Sequence, residues 1–151
     1  MCAIKFGRRI SASIYNTGVV SRALSSQTFT EKKFKITPEQ FLVLDLVVEN
    51  GELYQRQIAE ITLKDRGNIA RIIKILEEKE LIKKLEASQG RRVYKILVTK
   101  KGKELRDAML PIAIELRNIL IHGISEEELE ITLNTLGKIY ENARNKVTLQ
   151  I

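Results

Sequence analysis

The sequence predicts a mainly α fold with one small β-hairpin (α+β), and three observations carry it. Two short helical segments, Gln55 to Thr62 and Gly67 to Lys79, meet at a tight turn. A basic two-stranded hairpin with Arg91 and Arg92 at its tip follows directly. Beyond it, apolar residues repeat at four-three spacing from Leu105 to Val147. Together these outline a winged helix-turn-helix flanked by N- and C-terminal dimerisation helices. The expected divisions are residues 1–35 for an N-terminal dimerisation helix, 36–100 for the DNA-binding lobe, and 101–151 for the C-terminal dimerisation helices.

Bulk properties set the outer limits. The 151 residues amount to about one domain, and 44% apolar content suits a globular core. Lys+Arg 26 against Asp+Glu 19 gives a formal net charge of +7, which favours an acidic partner such as nucleic acid. Cys2 is the only cysteine and His122 the only histidine. An intrachain disulfide is therefore excluded, as is the usual four-ligand Cys/His zinc site, and a reducing cytoplasm is compatible. No apolar run reaches the length of about 18–20 residues that a membrane helix requires, so no membrane partner is expected.

Residues 1–30 hold Lys5, Arg8, Arg9 and Arg22, five serines and no acidic residue. That composition fits either a basic transit segment or an N-terminal helix carrying Ile10, Ile14 and Leu24. Thr37-Pro38-Glu39-Gln40 is a clearer signal: a threonine cap, proline at the first helical position and glutamine completing the box predict a helix from Pro38. It carries Phe41, Leu44 and Val48 to Asn50-Gly51, where glycine can take the left-handed conformation that ends helices.

In the helix pair, Ile58, Ala59 and Ile61 form the apolar side of the first member. Asp65 is placed to cap the second, whose inward positions are Ile69, Ile72, Ile73 and Leu76. Its other side shows Arg66, Gly67, Asn68, Ala70, Arg71 and Lys74, basic at the leading end and acidic by Glu77, Glu78 and Glu80. Backbone donors and the positive end of the helix dipole point the same way as those arginines, which suits approach to a phosphate backbone. Leu81 to Leu85 and Arg92 to Val98 read as strands, with Ser88-Gln89-Gly90 the turn between them. Arg91, Arg92 and Lys95 then lie at or near a narrow tip that fits a minor groove beside the helix's major-groove site.

After Thr99-Lys100-Lys101-Gly102 the pattern is helical. Leu105, Met109, Ile112, Leu116 and Ile119 form one seam, with Pro111 expected to kink the helix rather than end it. Ser125 to Glu128 is a second capping box. Leu129, Leu133, Leu136, Tyr140, Ala143 and Val147 form the next seam. Two such seams on one chain predict a homodimer, whose paired recognition helices would read half-sites about 34–36 Å apart. Neither the lone histidine nor the lone cysteine assembles a nucleophile–base pair, and no glycine-rich phosphate loop is present. No catalytic residue, metal or cofactor is therefore expected. A winged-helix module that holds a protein partner is the alternative, although Asn68, Arg71 and Lys74 disfavour it.

The order of elements, and residues 36–105 above all, resemble the MarR family of transcriptional regulators. The segments that carry the resemblance are Lys64 to Arg71, Leu76 to Ile82, Gly90-Arg91-Arg92, and Leu97 to Gly102. It implies a dimer with winged lobes on a pseudo-palindromic operator of double-stranded DNA, and a small anionic or phenolic effector. It also implies that Gly67, Asn68, Ala70, Arg71 and Lys74 lie near bases or phosphates, with Arg92 as the wing-tip arginine. The chain departs from the family pattern at Gly90, where an aspartate is usual, and at Glu80, where the turn after the recognition helix usually has glycine.

Overall fold

The computed structural model describes residues 2–86 and 94–148. Among the described residues, six helices and three strands follow in the order α1 (Cys2–Glu31), α2 (Pro38–Asn50), β1 (Glu52–Tyr54), α3 (Gln55–Thr62), α4 (Arg66–Glu78), β2 (Ile82–Glu86), β3 (Tyr94–Val98), α5 (Lys100–Ile121) and α6 (Glu126–Arg144). The chain divides into two compact units, Met1–Pro38 and Glu39–Ile151.

In the first unit the basic N-terminal segment is one long helix. It ends where Lys33 turns into the left-handed region at φ 56°. The Phe34 amide then donates to the Phe29 carbonyl and the Lys33 amide to that of Thr30, both at 3.0 Å. The rings of Phe29 and Phe34 meet edge to face at 5.2 Å, supplying the apolar contact that accompanies this kind of helix stop.

The second unit is built on the helix pair and a three-stranded antiparallel sheet in the order β1-β3-β2. Strand β3 is central: Ile96 faces Leu53 on one side and Lys84 on the other. Leu53 and Ile96 are buried together with Ile58 of α3 and Ile69, Ile73 and Leu76 of α4, so the sheet's inner face closes the core of the lobe. Helix α2 begins at Pro38 and buries Phe41, Val43, Leu44 and Val47. It ends before Gly51, which sits at φ 77°.

Strand β1 is absent from the sequence-based expectation. Three residues are too few to show a period of two, and only the register with β3 makes them a strand. Strand β2 is displaced by one residue from the expected Leu81–Leu85, while β3 ends at Val98 as expected and the start of the expected strand, Arg92 and Val93, lies outside the described residues. Helix α4 begins at Arg66, one residue before the expected Gly67. Helix α5 runs unbroken through Pro111.

Candidate nucleic-acid interface

Helix α4 is set by its cap. Asp65 takes extended backbone, and its Oδ1 accepts from the Asn68 amide at 2.8 Å, satisfying one of the free donors of the first turn. Burial of Ile69, Ile72, Ile73 and Leu76 fixes the rotation of the helix. Arg66, Gly67, Ala70, Arg71 and Lys74 are consequently exposed, and Asn68 is half-buried. The Arg71 guanidinium donates to Asn68 Oδ1 at 3.4 Å, so these two side chains present a joint polar edge. Lys74 lies 3.8 Å from Glu78, a loose pair on solvated side chains. Gly67 and Ala70 keep the leading end low, which allows close approach of the backbone to a flat or grooved partner.

The turn into α4 is held from two sides. Leu63 ends α3 in the left-handed region at φ 53°, with its amide donating to Ala59. The Lys64 ammonium reaches Glu39 at 2.8 Å, tying the turn to the start of α2. At the other end of α4, Glu80 occupies the expected glycine position and still adopts φ 60°. The Leu81 amide donates to the Leu76 carbonyl at 2.9 Å and the Glu80 amide to that of Glu77 at 2.8 Å. The turn therefore keeps the geometry a glycine would give, at the cost of a side chain in a strained backbone region. Glu80 also accepts from the Lys101 ammonium at 2.8 Å, and this hydrogen bond and charge hold its carboxyl below the usual range.

Entry into α5 is a close backbone crossing. The Thr99 amide donates to the Leu81 carbonyl at 3.1 Å, and Thr99 Oγ1 donates to the Glu80 backbone carbonyl at 2.7 Å. The Gly102 amide in turn donates to Thr99 Oγ1 at 3.0 Å. Gly102 is buried, and a Cβ there would fall 1.9 Å from the Leu81 carbonyl oxygen. That contact is why the Thr-x-x-Gly segment closes the lobe.

On the hairpin, the Lys84 ammonium pairs with Glu77 of α4 at 2.5 Å, and that of Lys95 with Glu52 of β1 at 2.5 Å. Lys95 also lies over the Tyr54 ring, 5.8 Å from its centre. Of the predicted basic residues of the wing, Arg91 and Arg92 lie outside the described residues, as does Gly90.

The predicted dimerisation residues fall into two groups. Met109 and Leu116 are buried, and Leu105, Ile112 and Leu129 are half-buried. Leu133, Leu136 and Tyr140 are exposed, and no residue of α6 is buried. Exposed apolar side chains continue through Ile119, Leu120, Ile121 and Ile124. His122 follows the end of α5 in the exposed turn before Gly123, beside an open groove of about 470 Å³ lined by Pro111, Ile114, Glu115, Asn118 and Ile119.

A residue that sequence reasoning missed is Arg106. Its Nε donates to Asp45 at 2.8 Å, its NH1 to Asp107 at 3.0 Å, and its NH2 to Glu49. The signal was there in α2: Asp45 is a lone acid inside Phe41-Leu42-Val43-Leu44-Asp45-Leu46-Val47-Val48, and such a group requires a partner. Among the described residues no cluster of His, Cys, Asp and Glu could hold a metal ion. No single described helix is long and apolar enough to cross a membrane.

Comparison with known proteins agrees with this architecture. Residues 34–92 match the family profile described as MarR family. The transcriptional regulator YybA of Bacillus subtilis (strain 168), itself of the helix-turn-helix type, is 31% identical over 126 residues, spanning 83% of this chain and 84% of YybA. The crystal structure of a MarR/EmrR family transcriptional regulator from Acinetobacter sp. ADP1 superposes with a TM-score of 0.82 at 25% identity, covering 92% of this chain and 97% of that one. The MepR–DNA complex of S. aureus gives a TM-score of 0.78 at 26% identity, covering 87% and 96%. With these likenesses over most of its length, and with a capped basic helix and a hairpin on one lobe, the chain belongs to the MarR family of transcriptional regulators.

Proposed function

We propose that the protein is a homodimeric, sequence-specific DNA-binding regulator that acts by binding rather than by turnover. One observation carries the reading. Asp65 caps α4 so that Arg66, Gly67, Asn68, Ala70, Arg71 and Lys74 share its outer side, while the apolar side is consumed in the core. Asn68 and Arg71 are assigned to base edges in the major groove, and Arg66 and Lys74 to phosphates. Arg91 and Arg92 are assigned to the neighbouring minor groove. The likeness to a MepR–DNA complex supports this arrangement.

A second copy is proposed to cover the exposed apolar side chains of α6 and the end of α5, including Leu133, Leu136, Tyr140 and Ile119. Left in water, an apolar surface of that kind is the usual mark of an interface. The two lobes then take the two halves of a pseudo-palindromic operator. A small anionic or phenolic effector that releases the DNA is the family-based extension of this reading.

The test is selection of bound duplexes from a random pool, followed by titration of the selected site against salt. A two-fold symmetric consensus is expected, with log K falling by about 0.9 per log salt for each neutralised phosphate. Selection that returns no consensus, or binding indifferent to salt, refutes the reading. Sedimentation of the wild type and Leu133→Asp tests the second copy, with a dimer expected for the first and a monomer for the second.

A further inference from the structure

The charge of Lys95, on β3 of the hairpin, is already committed. On β3 it stands opposite Tyr54 of β1 and Leu85 of β2, on the face away from buried Leu53 and Ile96. Its ammonium group is 2.5 Å from Glu52 and lies over the Tyr54 ring. Glu52 and Tyr54 are the two ends of β1, and α3 begins at the very next residue, Gln55. The contact therefore ties the base of the hairpin to the start of the helix-turn-helix. The Glu52 carboxylate beside it holds the Lys95 ammonium above its ordinary pKa, so the charge is kept at any working pH. Across the hairpin, Lys84 of β2 makes the matching tie to Glu77 of α4.

We infer that Lys95 is a positioning residue: its pair with Glu52 sets the pitch of the hairpin against the helix pair, and its ammonium does not bind phosphate. The inference rests on the DNA-binding reading above. The β1–β3 ladder already joins the hairpin to β1, and the Lys95–Glu52 pair adds a side-chain tie on its outer face, opposite the Lys84–Glu77 tie to α4. Tied on both sides, β2 and β3 hold one direction relative to the helix pair before any duplex is met.

The deciding variant is Glu52→Gln, because the two roles predict opposite signs. Removing an acidic residue close to DNA tightens binding if Lys95 is a phosphate contact, since the freed lysine and the lower repulsion both help. If Lys95 positions the hairpin, Glu52→Gln weakens binding to the selected duplex about three- to tenfold. In Lys95→Met the affinity falls similarly with an unchanged salt slope, whereas loss of a phosphate contact lowers the slope by about 0.9 per contact. The exchanged pair Glu52→Lys with Lys95→Glu restores most of the affinity in the positioning case only.

Amide hydrogen exchange of the β1–β3 ladder is measured on the same proteins without DNA. It is expected to quicken in both single variants and recover in the exchanged pair. Tighter binding by Glu52→Gln, a reduced slope in Lys95→Met, or unchanged exchange overturns the inference. A wild-type protein that binds no duplex refutes the DNA-binding reading instead, and exchange then decides alone whether Lys95 braces the sheet.

Discussion

Arg106 of α5 donates through Nε to Asp45 of α2 at 2.8 Å, and both side chains are nearly enclosed, at 11% and 14% exposure. The same guanidinium reaches Glu49 and Asp107, and Arg117 approaches the other Asp45 oxygen at 3.5 Å. The long helix α5 is thereby bolted to the first helix of the lobe by a charged cluster. A planar guanidinium spreads five donors over three nitrogens in a fixed fork, so each nitrogen reaches a different carboxylate, whereas a lysine must present its three donors from a single nitrogen. Replacement by leucine leaves Asp45, in a poorly solvated place, with only the looser approach of Arg117, and we expect Arg106→Leu to cost about 2–3 kcal/mol. Arg106→Lys should lose roughly half as much. Urea titration reads both as shifts of the midpoint at constant slope; a midpoint shift under about 0.5 kcal/mol for Arg106→Leu would remove the cluster from the stabilising contacts.

Gly102 makes a different kind of demand. Its missing Cβ is what lets the first turn of α5 pass against the strand-entry backbone, with the Leu81 carbonyl oxygen 1.9 Å and its carbon 2.9 Å from the ideal Cβ position. Neither atom can swing aside as a side chain could, because the Leu81 carbonyl accepts from the amide and hydroxyl of Thr99 and the Leu81 amide donates to Leu76. Gly102→Ala is expected to destabilise the lobe by about 3 kcal/mol or more, since α5 must shift bodily. Glycine is the poorer helix former, so an exposed site would show the opposite sign. A stabilised Gly102→Ala protein in the same urea titration would contradict the crossing.

Much of this was legible beforehand because it depends on local chemistry. Asp65 and the Ser125–Glu128 box announce helix starts by residue type, and the spacing of Ile69, Ile72, Ile73 and Leu76 names the buried face of α4. What was not legible depends on partners distant in the chain. Strand β1 exists only through its register with β3, and the role of Lys95 follows from that register rather than from its neighbours. Helix ends show the same division. Gly51 marks its stop openly, whereas Lys33, Leu63 and Glu80 take the same left-handed turn without glycine's freedom, so nothing in their identity reveals it.

That concealed strain at Glu80 can be relieved. A residue with a Cβ is disfavoured at φ 60°, and the turn hydrogen bonds to Leu76 and Glu77 persist whatever side chain stands there. Glu80→Gly should raise the melting midpoint by about 2–5 °C, the relief exceeding the greater freedom glycine gives the unfolded chain and the loss of the exposed pair with Lys101. Glu80→Ala keeps the strain and loses the pair, so its midpoint should not rise. Equal midpoints for the two variants would show that the backbone at residue 80 stores no strain.

Acid should find the start of α6. The Glu128 amide donates to Ser125 Oγ at 3.3 Å, and the Ser125 amide and hydroxyl both donate to Glu128 Oε2 at 2.9 Å. These donors, the backbone one foremost, hold the Glu128 carboxyl below its ordinary value of 4.5. A carboxyl whose pKa is depressed by folding stabilises the folded state fully above the unfolded value, and that contribution disappears as pH falls through the lower folded value. Glu128→Gln keeps an acceptor for the box but carries no charge at any pH. The wild type is therefore expected to melt above Glu128→Gln from pH 7 down to about pH 4.5, with the gap closing below that. A gap that stays constant down to about pH 3 would mean that the charge of Glu128 contributes nothing and that the cap works through its shape alone.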